Sequence, residues 1–317
     1  FVPAYLLPVA LGAQMLTALT AGTGVLVTAG FSFNETFLYW FPNFAVAYIL
    51  LGFILLLHLV GERWVRQAQI LFTATAAAGL LLLAAIALLG SGNTVSAGEV
   101  VSIPSTRGWA AILLLFVGVE LALLHPQVGA NAGETRRLMS LGVVSAALLF
   151  ALWGWAAVGL VPLSRLTDTT IAPVLVARTA WGQYGRYAMS IITIAGTLAA
   201  VNALFAVVAA TTSRLQLHLG SGGQILPQAA VPMLLGILIA AALALGFAGT
   251  ERLDVALEAG LVLWLFYYGF LLMSRRAGSR PYQPATAVAT AVASAVAGAL
   301  ILAAAGLLAF VHPDRSF

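Results

Sequence analysis

Residues Trp109 to Arg137 read WAAILLLFVGVELALLHPQVGANAGETRR, and their reading decides the class of fold. The stretch opens as an apolar helix, and Glu120 then falls at membrane depth. A carboxylate in hydrocarbon costs a few kcal/mol or more, so it must face other protein or a wet cavity. His125-Pro126 follows, where proline disfavours helix for the preceding residue and removes a backbone donor. Gly129 and Gly133 come next, and Glu134, Arg136 and Arg137 return the chain to water. Two readings fit. One is a broken membrane helix of the kind transporters use to hold a substrate or ion near the midplane. The other is an ordinary span with one buried acid that ends in a loop.

The rest of the chain places this stretch in a bilayer. Hydrophobic residues make up 62% of the sequence and charged ones 8%, with a mean hydropathy of +1.04. A soluble domain carries roughly 25% charged residues. The net charge of +4 is therefore a matter of topology, not of nucleic-acid binding. All basic residues are Arg, which together with the Ala richness points to a GC-rich genome. There is no Cys, hence no disulfide, thiolate site or Cys-ligated cluster. The four His are scattered, so neither a metal site nor a cofactor is expected, and no nucleophile–base arrangement suggests an enzyme.

Charge-free runs able to cross about 30 Å of hydrocarbon, roughly 20 residues each, occur at Ala4–Ala29, Phe41–Val60, Gln67–Gly90, Gly108–Leu124, Leu138–Val161, Tyr187–Thr212, Ala229–Ala248, Leu253–Ser274 and Ala285–Val311. The expected architecture is an all-α polytopic membrane protein of about nine transmembrane helices in a single domain, with connectors such as Ser164–Gln183 between them. Counting alternate loops, one side holds Arg63, Arg66, Arg136, Arg137, Arg214, Arg275, Arg276 and Arg280; the other holds Arg107, Arg165, Arg178, Arg186, Arg252 and Arg315. The clusters all fall on the first side, which the positive-inside rule makes cytoplasmic. Phe1 is then inside and Phe317 outside a bacterial cytoplasmic (inner) membrane. Asn34-Glu35-Thr36 has the pattern of a glycosylation acceptor and is read as chance.

Small residues in the first run (Gly12, Ala18, Gly22, Gly24) and the third (Ala74, Ala76–Ala78, Gly79) allow close helix approach. His58 is read as an interfacial group. In Tyr187–Thr212, Ser190, Thr193 and Thr197 recur at helical spacing on one face. They either bond to their own backbone or a neighbouring helix, or they ligate a cation. Asn202 is either an interhelical hydrogen bond or a site group. Glu258 falls near an outer end.

Several segments resemble a known family. Gly185–Pro227, GRYAMSIITIAGTLAAVNALFAVVAATTSRLQLHLGSGGQILP, resembles the eighth helix and following loop of the amino acid–polyamine–organocation permeases, with Ser213-Arg214 and Leu226-Pro227 at the matching turn. Phe116-Val117-Gly118-Val119-Glu120 resembles the aromatic-x-Gly-Phe-Glu segment of the family's broken sixth helix, and Glu134-Thr135-Arg136-Arg137 its downstream acidic–basic turn. Leu59–Gln69, LVGERWVRQAQ, is similar to the turn between the fourth and fifth helices. The matches keep their order over Tyr48–Arg276.

The resemblance implies a partial inverted-repeat, leucine-transporter-like fold: three helices of a first repeat in residues 1–90, a second repeat in 108–274, and an additional helix in 285–311. It implies transport of amino acids or related amines by alternating access. Gly118, Val119, Glu120 and Asn202 become substrate-binding candidates, and Thr193 and Thr197 ion-binding candidates. Ala4–Ala29 aligns with the family's third helix, so its first two helices and its last have no counterpart here, and Val119 stands where the family often has an aromatic gate. The span Gln67–Gly90 offers only Thr73 and Thr75 where some proton-coupled relatives carry a Lys. Beside a permease stands a second expectation, a transport-inactive scaffold subunit of a larger membrane complex, with a partner subunit covering the missing helices. On either expectation this chain by itself does not transport, since a site at the repeat interface needs walls from both repeats. The face bearing Glu120 is to be covered by two further helices, a partner chain or lipid head groups.

Overall fold

The computed structural model describes residues 7–90, 132–167, 169, 171–218, 227, 229–248 and 250–274. Every regular element among them is a helix: α1 (Leu7–Thr36), α2 (Asn43–Val60), α3 (Glu62–Gly90), α4 (Ala132–Leu160), α5 (Leu163–Thr167), α6 (Ala172–His218), α7 (Ala230–Ala244) and α8 (Glu251–Ser274). Six are long and apolar enough to cross a membrane, and α7 is a shorter apolar helix. Each expected run within the described residues coincides with a helix. Gly108–Leu124, with Glu120 in it, and Ala285–Val311 lie outside them.

α1 and α6 form the centre. Of the membrane-length core of each, 56% of residues are buried, against 22% for α2 and α3 and 11% for α4. The principal cluster takes Ala18, Leu26 and Val27 from α1, Leu51 and Ile54 from α2, Val201, Phe205 and Val208 from α6, and Leu235 and Ile239 from α7. The outer helices turn apolar side chains outward, among them Ile70, Leu71, Leu81 and Leu82 of α3 and Leu141, Val144, Leu148 and Phe150 of α4. That is the surface a helix presents to lipid tails. Because those tails are as apolar as leucine, helix association rests on close packing and interhelical hydrogen bonds.

The small residues supply the close packing. A Cβ on Gly79 of α3 would lie 2.6 Å from Ile192 Cγ1 of α6, and one on Gly22 of α1 would lie 3.1 Å from Ile239 Cδ1 of α7. Pairings fix the helix directions. Thr36 and Ser32 meet Ser190 while Val25 meets Thr197, so α1 and α6 are antiparallel. Val65 meets Asn202 and Gly79 meets Ile192, so α3 is also antiparallel to α6. Thr17 meets Trp264 and Gly24 meets Leu253, which sets α8 antiparallel to α1. Tyr48 meets Ala240 and Leu55 meets Gly236, which does the same for α2 and α7.

The structure corrects several expected boundaries. α1 continues past Ala29 to Thr36 because the hydroxyls of Ser32 and Thr36 find a partner on α6. Asn34 donates from Nδ2 to the carbonyls of Tyr39 and Phe41 and so braces the α1–α2 turn. α3 starts at Glu62 rather than Gln67, because Gly61, at φ 132°, turns the chain between α2 and α3 in one residue. The connector Ser164–Gln183 is largely helical. α5 and the first turns of α6 fill it, and α6 breaks at Trp181 and Gly182, the latter at φ 61°. The segment before this break folds back, with Ile171, Val174 and Ala177 packed among Leu80 and Leu83 of α3 and Met189 and Ile192 of α6.

α7 ends at Ala244 rather than Ala248. Gly246, at φ 67°, donates its N–H to Leu243, and Phe247 donates to Ala242. This is the Schellman arrangement that terminates helices at glycine.

Candidate functional site

Polar side chains buried in an apolar bundle need partners, and in this molecule α6 gathers most of them. Towards its start, Ser190 is fully buried. Its Oγ lies 3.0 Å from Ser32 Oγ and 2.5 Å from Thr36 Oγ1, and donates to the Ser32 carbonyl at 3.2 Å. One turn on, Thr193 Oγ1 donates to the carbonyl of Met189 in its own helix at 2.9 Å. Thr197 Oγ1 donates across to the carbonyl of Val25 on α1 at 3.1 Å. The stripe is thus divided: Ser190 and Thr197 hold α1, and Thr193 bonds to its own backbone.

Asn202 faces the opposite neighbour. Its Nδ2 donates to the Val65 carbonyl at 3.1 Å and to Gln69 Oε1 at 2.8 Å, both on α3. Gln69 Nε2 passes the chain on to Thr73 Oγ1 at 3.1 Å. With both Nδ2 hydrogens committed, Asn202 Oδ1 points away from α3, and it is buried without a partner. His58 of α2 lies beside Asn202. Its ring sits 5.9 Å from that of Phe205, and its Nε2 is likewise buried without a partner.

The result is a polar node where α2, α3 and α6 meet. The Asn202 side chain and the His58 ring stand within hydrogen-bonding reach of each other at the head of the Asn202–Gln69–Thr73 chain, with Asn202 Oδ1 and His58 Nε2 short of a well-aligned partner among the described residues. Such a pair can accept a hydrogen-bond donor such as an ammonium group, or exchange a proton through the imidazole. No family model matches the chain, and no curated protein matches its sequence.

Of the six residues expected to form a site, the described structure holds three. Asn202 belongs to the node; Thr197 and Thr193 do not, because they lie on the side of α6 that serves α1 and its own backbone. Gly118, Val119 and Glu120 lie outside the described residues. Sequence reasoning passed over Gln69 and Gln14, while His58, read as an interfacial group, lies in the last turn of α2. Gln14 is 2% exposed with Oε1 unpartnered, one turn from Thr17, which accepts a hydrogen bond from Trp264 Nε1 at 2.9 Å. Gln14 carried a signal, a lone amide inside an apolar run, whereas Gln69 stands close to Arg66 and Gln67, where a polar residue is ordinary.

Proposed function

We propose that the chain is a membrane permease-like protein of the amino acid–polyamine–organocation type, moving amino acids or related amines by alternating access. The observation that carries this reading is the polar node. α6, the helix on which the family resemblance is strongest, brings Asn202 to a buried junction with α2 and α3, where Oδ1 and His58 Nε2 are left for a ligand or a proton. The substrate candidates Gly118, Val119 and Glu120 belong to this proposal on the strength of the sequence resemblance, and so does the cytoplasmic orientation of the Arg clusters.

The test is uptake into liposomes reconstituted with the protein, with a panel of radiolabelled amino acids and polyamines. Asn202→Ala is expected to abolish substrate-stimulated uptake while the variant still reconstitutes. Uptake equal to that of the original chain, with Asn202 replaced, would remove the node from the mechanism.

A second reading, a transport-inactive scaffold subunit, draws support from Ser190, Thr193 and Thr197. All three hydroxyls are engaged in helix packing or backbone bonds rather than grouped as ligands. Absence of uptake for every substrate, with another membrane protein copurifying in fixed ratio, would favour it.

A further inference from the structure

One end of the bundle carries a ring of exposed aromatic side chains. Tyr39 and Trp40 stand in the α1–α2 turn, Trp155 on α4, and Trp181, Tyr184 and Tyr187 around the break in α6; all are exposed. Tyr187 stacks on Phe37 at 5.8 Å, and Trp181 lies 6.0 Å from Tyr184. At the other end Trp64 stands exposed close to Arg63 and Arg66. Tyr and Trp collect at the headgroup level on both faces of a bilayer. α2, which runs between the two ends, is 18 residues long, or about 27 Å by helical rise, and that matches the hydrocarbon. The aromatic ring therefore marks the headgroup layer at its end of the molecule.

Arg186 sits within this ring, between Tyr184 and Tyr187. It is half-buried, its Nε is covered and without a partner, and it makes no hydrogen bond or ion pair among the described residues. The situation differs at the opposite end, where Arg66 and Arg214 both have partners. Glu35, near the facing end of α1, is exposed and forms no pair with it. A guanidinium whose Nη groups have no partner among the described residues, at the level of lipid phosphates, has one abundant complementary group, a phosphate oxygen pair that it can grip in a bidentate fashion. An arginine stem can lie along apolar surface while the head stays at the interface.

We propose that Arg186 is a binding site for the phosphodiester headgroup of a membrane phospholipid, at the level marked by Tyr184 and Tyr187. The site clamps a lipid against the junction of α1 and α6, one turn beyond the Ser32–Thr36–Ser190 contact. This inference rests on the membrane placement of the helices and not on transport.

The test is thermal unfolding of the purified chain in a neutral detergent, with three additions: phosphatidylglycerol, a phosphate-free galactolipid, and inorganic phosphate at matched concentration. Phosphatidylglycerol is expected to raise the melting temperature and the other two to leave it unchanged. Arg186→Gln should lose most of that rise, and Arg178→Gln, an exposed arginine ahead of the break, should keep it. If Arg186→Gln does not fold, Arg186→Lys should fold and show a smaller rise, since it keeps the charge without the fork. Equal rises in the original and Arg186 variants would overturn the proposal, as would an equal rise with the galactolipid. The same rise with inorganic phosphate would replace the lipid with a free anion and overturn it too.

Discussion

Asn202 shows how far a single residue can be read from sequence. Its type and its place in an apolar run announced a buried polar group, but two explanations fitted it, an interhelical bond and a site. The structure shows the first: Nδ2 ties α6 to α3, and the side chain also lies beside His58. Its partner Gln69 was hidden because α3 begins earlier than the charges around Arg63 and Arg66 suggested, so Gln69 is helical rather than a boundary. Asn202→Ala removes two hydrogen bonds and leaves Gln69 Oε1 stranded. We expect a loss of about 1–3 kcal/mol, read as a lower melting temperature in detergent. The threonines separate cleanly. Thr197→Val breaks the bond to α1 and should cost about 0.6 kcal/mol, the mean for such contacts in a membrane bundle. Thr193→Val, which loses only a bond within its own turn, should leave the melting temperature unchanged. A larger effect at Thr193 than at Thr197 would contradict this division.

At the scale of elements, hydropathy located the helices and misjudged their ends, because an end is decided by local partners that composition does not show. α1 outran its apolar stretch because Ser190 stood ready to satisfy Ser32 and Thr36. α7 fell short of its stretch because Gly246 could take a positive φ. The fold-back before Gly182 was unreadable, since its short apolar segment looks like a loop until Ile171, Val174 and Ala177 find α3 and α6. The small-residue runs were legible in part: Ala18, Gly22 and Gly24 of α1 and Ala76 and Gly79 of α3 lie at helix contacts, whereas Gly12, Ala74, Ala77 and Ala78 are exposed. Gly79→Ala should lower the melting temperature, and trimming Ile192 to Ala in the same chain should recover part of the loss; two independent additive losses would show that the contact is not shared. Gly30→Ala should be harsher than either, because its Cβ would lie 2.2 Å from the carbonyl oxygen of Asn43, a backbone atom that cannot rotate away. Gly12→Ala, with nothing within 4 Å, serves as the neutral control.

For the whole molecule, the pairings allow a check on the path of the chain. α3 ends, and the part of α6 after Gly182 begins, at the aromatic end of the bundle. Single cysteines placed at Trp40, Arg63, Arg178 and Arg214 of this cysteine-free chain should divide into two groups when probed with a membrane-impermeant thiol reagent in oriented vesicles. Trp40 and Arg178 belong to one group and Arg63 and Arg214 to the other. Any other partition would overturn the directions assigned to the helices. The relative directions follow from side-chain pairs spread along the chain. Which face meets the cytoplasm rests on the arginine clusters alone.

The early stop of α7 has a consequence for the bilayer itself. Fifteen residues rise about 22 Å, while hydrocarbon is about 30 Å thick, and Leu234, Ile237 and Leu245 expose apolar surface along this flank. Lipid beside α7 must compress to meet it, so the chain carries a one-sided hydrophobic mismatch, relieved where the membrane is thin. In a series of phosphatidylcholines of increasing acyl length, thermal stability should peak at shorter chains than the length of α2 would select. Replacing Gly246 with Leu, which strains the positive-φ cap and so weakens the stop after Ala244, should move that optimum towards longer lipids.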